Sequence, residues 1–201
     1  MKKNMKIRSV PYRRKGEGKT DYRKRLRLLI SRAPRLVVRT SGKNTTAQVV
    51  VFEPKGDRVL ASASSRELVK HGWQYARNNQ PAAYLVGLLV GIKAKKAGIK
   101  SAIADVGSAK PVKKSLIYTI IKGTKEAGIH IPVADEVLPD QKRVSGEHIS
   151  EYSKKIKANR AAYEKQFSGY LARGLNPEDI PKRFEELKTK IMKEFDDKSK
   201  K

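Results

Sequence analysis

The chain has 201 residues, 46 Lys+Arg against 20 Asp+Glu and a formal net charge of +26, with 38% hydrophobic and only 6% aromatic residues. That length fits one domain with extensions or one large and one small domain, and that charge destabilises a compact chain unless a polyanion neutralises it, which points to nucleic acid before an anionic membrane. Cysteine is absent, which excludes disulfides, thiolate metal sites and thiol chemistry.

Residues 1–43 hold sixteen Lys/Arg, among them Lys2, Lys3, Lys6 and Arg8, against Glu17 and Asp21 alone, a net +14. No apolar core follows the basic start, so it does not read as a signal peptide. Residues 1–18 lack an apolar period and are expected to be an extended arm, disordered in isolation. From Thr20 to Ser31, Tyr22, Leu26, Leu29 and Ile30 recur at helical spacing with Thr20 or Asp21 placed to cap, so the Arg and Lys side chains must fan over the remaining faces. A basic arm and short helix over residues 1–33 is the first expected unit.

Pro34 ends that helix, and Leu36–Thr40, Gln48–Phe52 and Arg58–Ala63 read as three antiparallel strands joined by turns at Ser41-Gly42-Lys43-Asn44 and Pro54-Lys55-Gly56-Asp57. The apolar stretch Pro81–Ile92 is roughly half the ~20 residues that span a bilayer, so it is expected to be a buried helix and no membrane is implied. Ala97-Gly98-Ile99 followed by Ala104-Asp105 recurs thirty residues later as Ala127-Gly128-Ile129 followed by Ala134-Asp135. In both copies Gly is placed for a left-handed helix cap, and each copy leads into a short apolar strand. A helix over Val112–Ala127 would make these a βαβ unit with parallel strands. Residues 34–140 are therefore an expected α/β core: a mixed sheet of meander plus βαβ, covered by helices. Beyond Pro139 a helical extension over 141–201 is expected. It has a helix capped by Ser145 carrying Ile149, Tyr152 and Ile156, and another opened by Asn176-Pro177 with the stripe Phe184, Leu187, Ile191 and Phe195. Stripes that thin must dock on the domain, on RNA or on a neighbouring protein.

The functional signal is the basic N-terminal region interleaved with Tyr12 and Tyr22, since Arg both forks onto phosphate and stacks on bases. With no zinc, helix-turn-helix or RNP pattern, backbone and shape recognition of folded RNA is expected. Asn78 and Asn79 before Pro81 serve either as a plain helix cap or as part of a phosphate contact. Trp73 stacks on a base or plugs a core edge. Gly87 and Gly91 are spaced to let their helix pack closely on the sheet. Asp105 and Asp135, with Asp57 available as a third carboxylate, offer a Mg²⁺ nuclease alternative, but capping Asp residues after strands are routine. His71, His130 and His148 show no ligand spacing.

The strings YRRKGEGKTDYRKRLRLL (12–29), PRLVVRTSGKNTTAQ (34–48), ELVKHGWQYARNNQPAAYLVGLL (67–89) and SAIADVG (101–107) together resemble the ribosomal large-subunit family that binds 5S ribosomal RNA, numbered eighteen in bacteria and five in eukaryotes. VSGEHISEYSKKI (144–156) is similar to archaeal members, and the likeness runs from about Met5 to about Leu175. The resemblance implies a cytoplasmic structural constituent of the ribosome with no enzymatic activity and no cofactor. Its implied partners are 5S and large-subunit ribosomal RNA, the other 5S-binding large-subunit protein, and neighbouring ribosomal proteins at the C-terminal helices. By position, Arg13, Arg14, Lys15, Lys19, Tyr22, Arg23, Arg25 and Arg27 fall in the family's RNA-contacting segment, and Arg39, Ser41, Lys43 and Asn44 at its first strand turn. Gly42 departs from the pattern there, since members often carry Asn. Tyr12, Lys24, Arg32, Asn78 and Asn79 complete the expected RNA-binding set. A non-ribosomal RNA binder is the rival within the binding class.

Overall fold

The computed structural model describes residues 10–197, with side chains as far as residue 193; Lys2, Lys3, Lys6, Arg8 and the Phe195 side chain lie outside what it describes. Arg13–Gly16 form one helical turn, α1, closed by the Lys15 and Gly16 N–H groups donating to the Tyr12 carbonyl. The arm expected to be extended is thus helical at 13–16, and Arg14 Nε fastens it by donating to Thr20 Oγ1 at 2.9 Å. Helix α2 (Tyr22–Ile30) starts where the Asp21 carboxylate accepts the Arg23 and Lys24 N–H groups, at 3.0 and 3.1 Å. Such a cap satisfies amides that no earlier turn can reach.

Strands β1 (Arg35–Thr40), β2 (Thr45–Val51) and β3 (Arg58–Ser64) form the expected antiparallel meander. β4 (Ile103–Asp105) pairs with β1 in parallel, giving the order β3-β2-β1-β4. The α/β class with a mixed sheet holds. The second parallel strand expected at Ala134-Asp135 does not form. The chain makes only an isolated parallel bridge between Ser101 and His130, after which Pro132 has no N–H with which to extend a ladder. Asp135–Val137 coil into a single 3-10 turn instead. The parallel pairing of this sheet is therefore β1 with β4.

Helices α3 (Leu68–His71), α4 (Gln80–Lys96) and α5 (Leu116–Glu126) follow from the middle of the chain. α5 starts at Leu116 rather than Val112, because Lys114 sits at φ +58, outside the helical region. The repeated glycines act as read from the sequence: Gly98 and Gly128 lie at φ +76 and +99, one residue beyond the C-caps Ala97 and Ala127.

α4 is apolar on nearly every side and is buried from Pro81 to Gly91, as a helix enclosed on all faces requires. It lies between the inner sheet face, where Leu36, Val38, Ala47, Val49, Ala61 and Ala63 are buried, and the helices beyond. Gly87 and Gly91 face α5 rather than the sheet. A Cβ on Gly87 would sit 2.1 Å from the Ile120 carbonyl oxygen, and one on Gly91 would sit 2.5 Å from Ala127 Cβ. Gly123 on α5 returns the fit, its missing Cβ 2.3 Å from the Tyr84 carbonyl oxygen. The expected close packing is thus between two helices.

The C-terminal region contains α6 (Gln141–Ser145), α7 (Glu147–Ile156), α8 (Arg160–Leu171) and α9 (Ile180–Asp197). Ser145 does not cap α7 as expected. It ends α6, donating its hydroxyl to the Lys142 carbonyl at 3.1 Å, and the chain enters α7 through Gly146 at φ +87. Asn176 accepts the Glu178 N–H at 3.2 Å, and a 3-10 turn, Pro177–Asp179, leads into α9. On α9, Ile180, Phe184, Leu187 and Ile191 are buried, with the Phe184 ring 5.3 Å from that of Tyr84. One hydrophobic cluster runs from the sheet through α4 to this helix. Trp73, 1% exposed with its indole N–H donating to the Ala76 carbonyl, belongs to that core and offers no face to a base.

Gly123→Ala is expected to lower stability by about 1–3 kcal/mol, because helix backbones in contact must separate to admit a methyl group. Urea unfolding followed by circular dichroism measures it.

Candidate nucleic-acid interface

Alternation along β1 sends Leu36 and Val38 into the core and Arg35, Val37 and Arg39 to the outer sheet face. Arg35 is only 2% exposed, a burial that a guanidinium tolerates only with anionic partners. It donates Nη1 to Asp105 Oδ2 at 2.7 Å and Nη2 to Asp57 Oδ2 at 2.5 Å. Arg39 adds Nη1 bonds to the Val38 and Asp105 carbonyls, at 2.7 and 3.0 Å. Asp105 thus joins β4 to β1 by side chain as well as by backbone.

Helix α2 hangs from this network. None of its residues is buried, and Leu26 and Ile30 of its apolar stripe are 64% and 74% exposed. What holds it is charge: Arg25 forks onto Asp57 at 2.7 and 2.9 Å, and Lys24 Nζ donates to the Gly107 carbonyl at 2.7 Å. Between α2 and the sheet runs a cleft of about 530 Å³ whose walls include Arg14, Lys19, Tyr22, Arg39 and Gln48. The Arg25 hydrogen bond, followed by those of Arg35, holds the Asp57 carboxyl below its ordinary value against an opposing push from burial. A carboxyl with a depressed folded value contributes stability above its unfolded value of about 3.9 and loses it as pH falls through the folded one. The clamp is therefore closed at neutral pH.

The expected RNA-binding residues are placed differently. Lys24, Arg25 and the half-exposed Arg39 engage the scaffold. Lys15, Arg23, Arg27 and Arg32 are exposed and form no ion pair among the described residues. Arg13 and Lys19 stand beside Glu17, at 3.9 and 2.8 Å, and the Tyr12 ring lies 5.2 Å from that of Tyr22 on the same side. The β1–β2 turn is tightened by Ser41, whose hydroxyl donates to the Asn44 carbonyl and accepts its N–H, leaving Lys43 exposed. Asn78 Nδ2 donates to the Gly42 carbonyl at 3.3 Å, which brings that turn beside the start of α4. There Asn79 caps the helix by accepting the Ala82 N–H at 3.0 Å.

The carboxylates considered for Mg²⁺ are engaged by cations. Asp57 and Asp105 are tied to arginines, and Asp135 is 89% exposed and bonded to Lys125 at 2.9 Å. Among the described residues no group of three His, Cys, Asp or Glu could hold a metal ion, and no helix is long and apolar enough to cross a membrane. Arg35 is the residue that sequence reasoning misses, although its place in the strand alternation beside Leu36 marks it for the face opposite the core.

A cation-faced helix tethered by ion pairs over the polar side of a mixed sheet defines an α/β protein with a surface suited to a polyanion. Residues 6–101 match the family described as ribosomal large subunit proteins 60S L5 and 50S L18. The matched stretch, just under half of the chain, contains α1, α2, the meander and α4.

If Asp57 positions α2, then Asp57→Ala weakens RNA binding about fivefold, the equivalent of losing roughly 1 kcal/mol of tether. Pure electrostatics gives the opposite sign, since the substitution removes a negative charge beside the cations. Fluorescence anisotropy with labelled ribosomal RNA reads the sign directly, and tighter binding by the variant would rule the clamp out.

Proposed function

We propose that this chain is a structural constituent of the large ribosomal subunit that grips 5S ribosomal RNA and helps attach it to large-subunit ribosomal RNA in the central protuberance. The carrying observation is the set of exposed cations Lys15, Arg23, Arg27 and Arg32, without ion pairs among the described residues, of which Arg23 and Arg27 stand on a helix held by Arg25 and Lys24. Phosphates are met by charges whose spacing is set before the RNA arrives, so less ordering entropy opposes binding. The mechanism is charge neutralisation and shape fit, with no turnover. Tyr12 and Tyr22 add ring faces beside the cations for any unpaired base. Lys43 and Asn44, at the turn next to Asn78, extend the surface along one end of the sheet. The ribosome, a cytoplasmic particle, is the location the family implies. In this reading the other 5S-binding large-subunit protein is a neighbour, and further ribosomal proteins meet the outer faces of the C-terminal helices.

A chain lacking residues 1–32 should keep its α/β fold, because no residue of α2 is fully buried, yet lose 5S RNA affinity by at least a hundredfold. For the full chain, affinity should fall steeply with salt, close to one counterion released per neutralised phosphate. Gel-shift titrations at several salt concentrations, with circular dichroism of both chains, test this. Unchanged affinity on truncation or a flat salt response would sink the proposal, and comparable affinity for unrelated RNAs would favour a non-ribosomal RNA binder.

A further inference from the structure

Far along the chain from the N-terminal cations, a second cleft of about 570 Å³ opens between α7 and α8 beside the start of α4. Its wall is aromatic. Tyr152 is 48% exposed; Phe167, only 6% exposed, backs it from 6.4 Å, and the Phe167 and Tyr170 rings are stacked 6.0 Å apart at 18°. Arg143, exposed, stands at the same cleft, as do two polar atoms that are buried without a hydrogen-bond partner, Asn79 Nδ2 and His148 Nδ1. Leaving such groups unsatisfied is costly, and a ligand edge presenting donors and acceptors would relieve it.

Gly169 is a further sign. Glycine inside a helix is less stable than alanine, and it is usually kept there for a close approach. Here a Cβ would meet nothing within 4 Å, so no protein packing asks for glycine, yet the residue lines the cleft. Two residues earlier Phe167 leaves helical geometry, at φ −109 and ψ 16, which bends α8 along the aromatic wall. The surroundings are basic: residues 141–176 carry eight Lys/Arg against three Glu.

We propose that this cleft is a second RNA contact, taking one unpaired base of ribosomal RNA against the exposed ring of Tyr152, which Phe167 backs from inside, with its phosphate at Arg143. A flat ring suits the aromatic wall, Asn79 and His148 suit a base edge, and the cationic rim suits the chain's polyanion. An acidic peptide from a neighbouring protein would satisfy the rim but leave the stacking wall unused. The inference rests on the RNA-binding reading above and adds a site wholly outside the N-terminal region.

The test uses the full chain and an unstructured oligoribonucleotide carrying 2-aminopurine, whose fluorescence is quenched by stacking. Quenching is expected with the native chain and with Tyr152→Phe. Tyr152→Ala should lose it and bind the oligonucleotide about tenfold or more weakly, in keeping with the worth of one base stacked on an aromatic ring. Gly169→Leu should abolish quenching by filling the cleft while leaving thermal unfolding unchanged or raised, a pairing that a merely structural role would not produce. Quenching that is absent in the native chain, or unaltered by both Tyr152→Ala and Gly169→Leu, would overturn the assignment. Gel shifts with 5S RNA, run in parallel, report on the N-terminal grip independently, so the two ideas fail separately. A photo-reactive group placed at Gln166 in assembled large subunits probes the cleft by another route: attachment to a nucleotide supports the site, and attachment to a protein overturns it.

Discussion

The guanidinium of Arg35, held at 2% exposure between two carboxylates, ties together segments that are remote in the chain. Asp57 comes from the connection before β3 and Asp105 from the end of β4, so satisfying one buried cation fixes the positions of β1, that connection and the edge strand. Each member has a second partner: Arg35 keeps Asp105 if Asp57 is lost, and Asp57 keeps Arg25 if Arg35 is lost, so a single removal costs less than the about 3–5 kcal/mol of an isolated buried pair. Through Asp57 the network reaches Arg25 and hence α2, and through Asp105 it reaches Arg39. The sheet therefore has one dry face, packed on α4, and one ionic face, where carboxylates take the place of hydrophobic side chains as the fastening. In a protein with so large a positive excess, a few acidic residues suffice for this: Arg25, Arg35 and Arg39 hold the scaffold, and Lys15, Arg23, Arg27 and Arg32 are left facing outward.

The opposite face follows different physics. α4 meets α5 at backbone contact distance through Gly87, Gly91 and Gly123, and Thr124 adds a hydroxyl bond to the Gly87 carbonyl at 3.1 Å. Glycine at these positions gives up helix propensity for closeness of approach. α9 then completes the enclosure of α4 with Phe184 against Tyr84, and Lys188 Nζ 5.2 Å above that ring. The thin stripe on α9 is sufficient because α4 already offers an apolar surface on every side.

Much of this is legible in the residues. The meander follows from Val-rich alternation and turn chemistry, α2 from its spacing and Asp21, and the helix ends at Gly98 and Gly128 from a repeated tripeptide. The lost strand after Ile129 shows where pattern fails: an apolar run satisfies strand periodicity, while one proline two residues beyond His130 denies it a ladder. Tertiary pairings are harder to read. Nothing local tells that Gly87 faces a helix instead of a sheet, or that Asp57 and Asp105 serve arginines and not a metal, because each depends on partners tens of residues away. The apolar spacing of Tyr22, Leu26 and Ile30 predicts the helix correctly but not its seating, since the residues that secure it are the charged ones between them. The aromatic cleft has no sequence signal beyond Tyr152, because α8 carries no apolar stripe regular enough to mark it as a separate helix.

Because α2 is secured mainly by charge, dissolved ions would act twice on the proposed RNA grip. They would compete for the phosphates, and they would also loosen the Arg25–Asp57 fork from which the helix hangs. At high ionic strength a growing share of free chains would carry an unseated helix and must re-dock it before binding, which lowers the apparent affinity by the seated fraction. The steepness of a salt titration would then exceed the number of phosphates actually touched, and counting contacts from that slope alone would overstate the footprint.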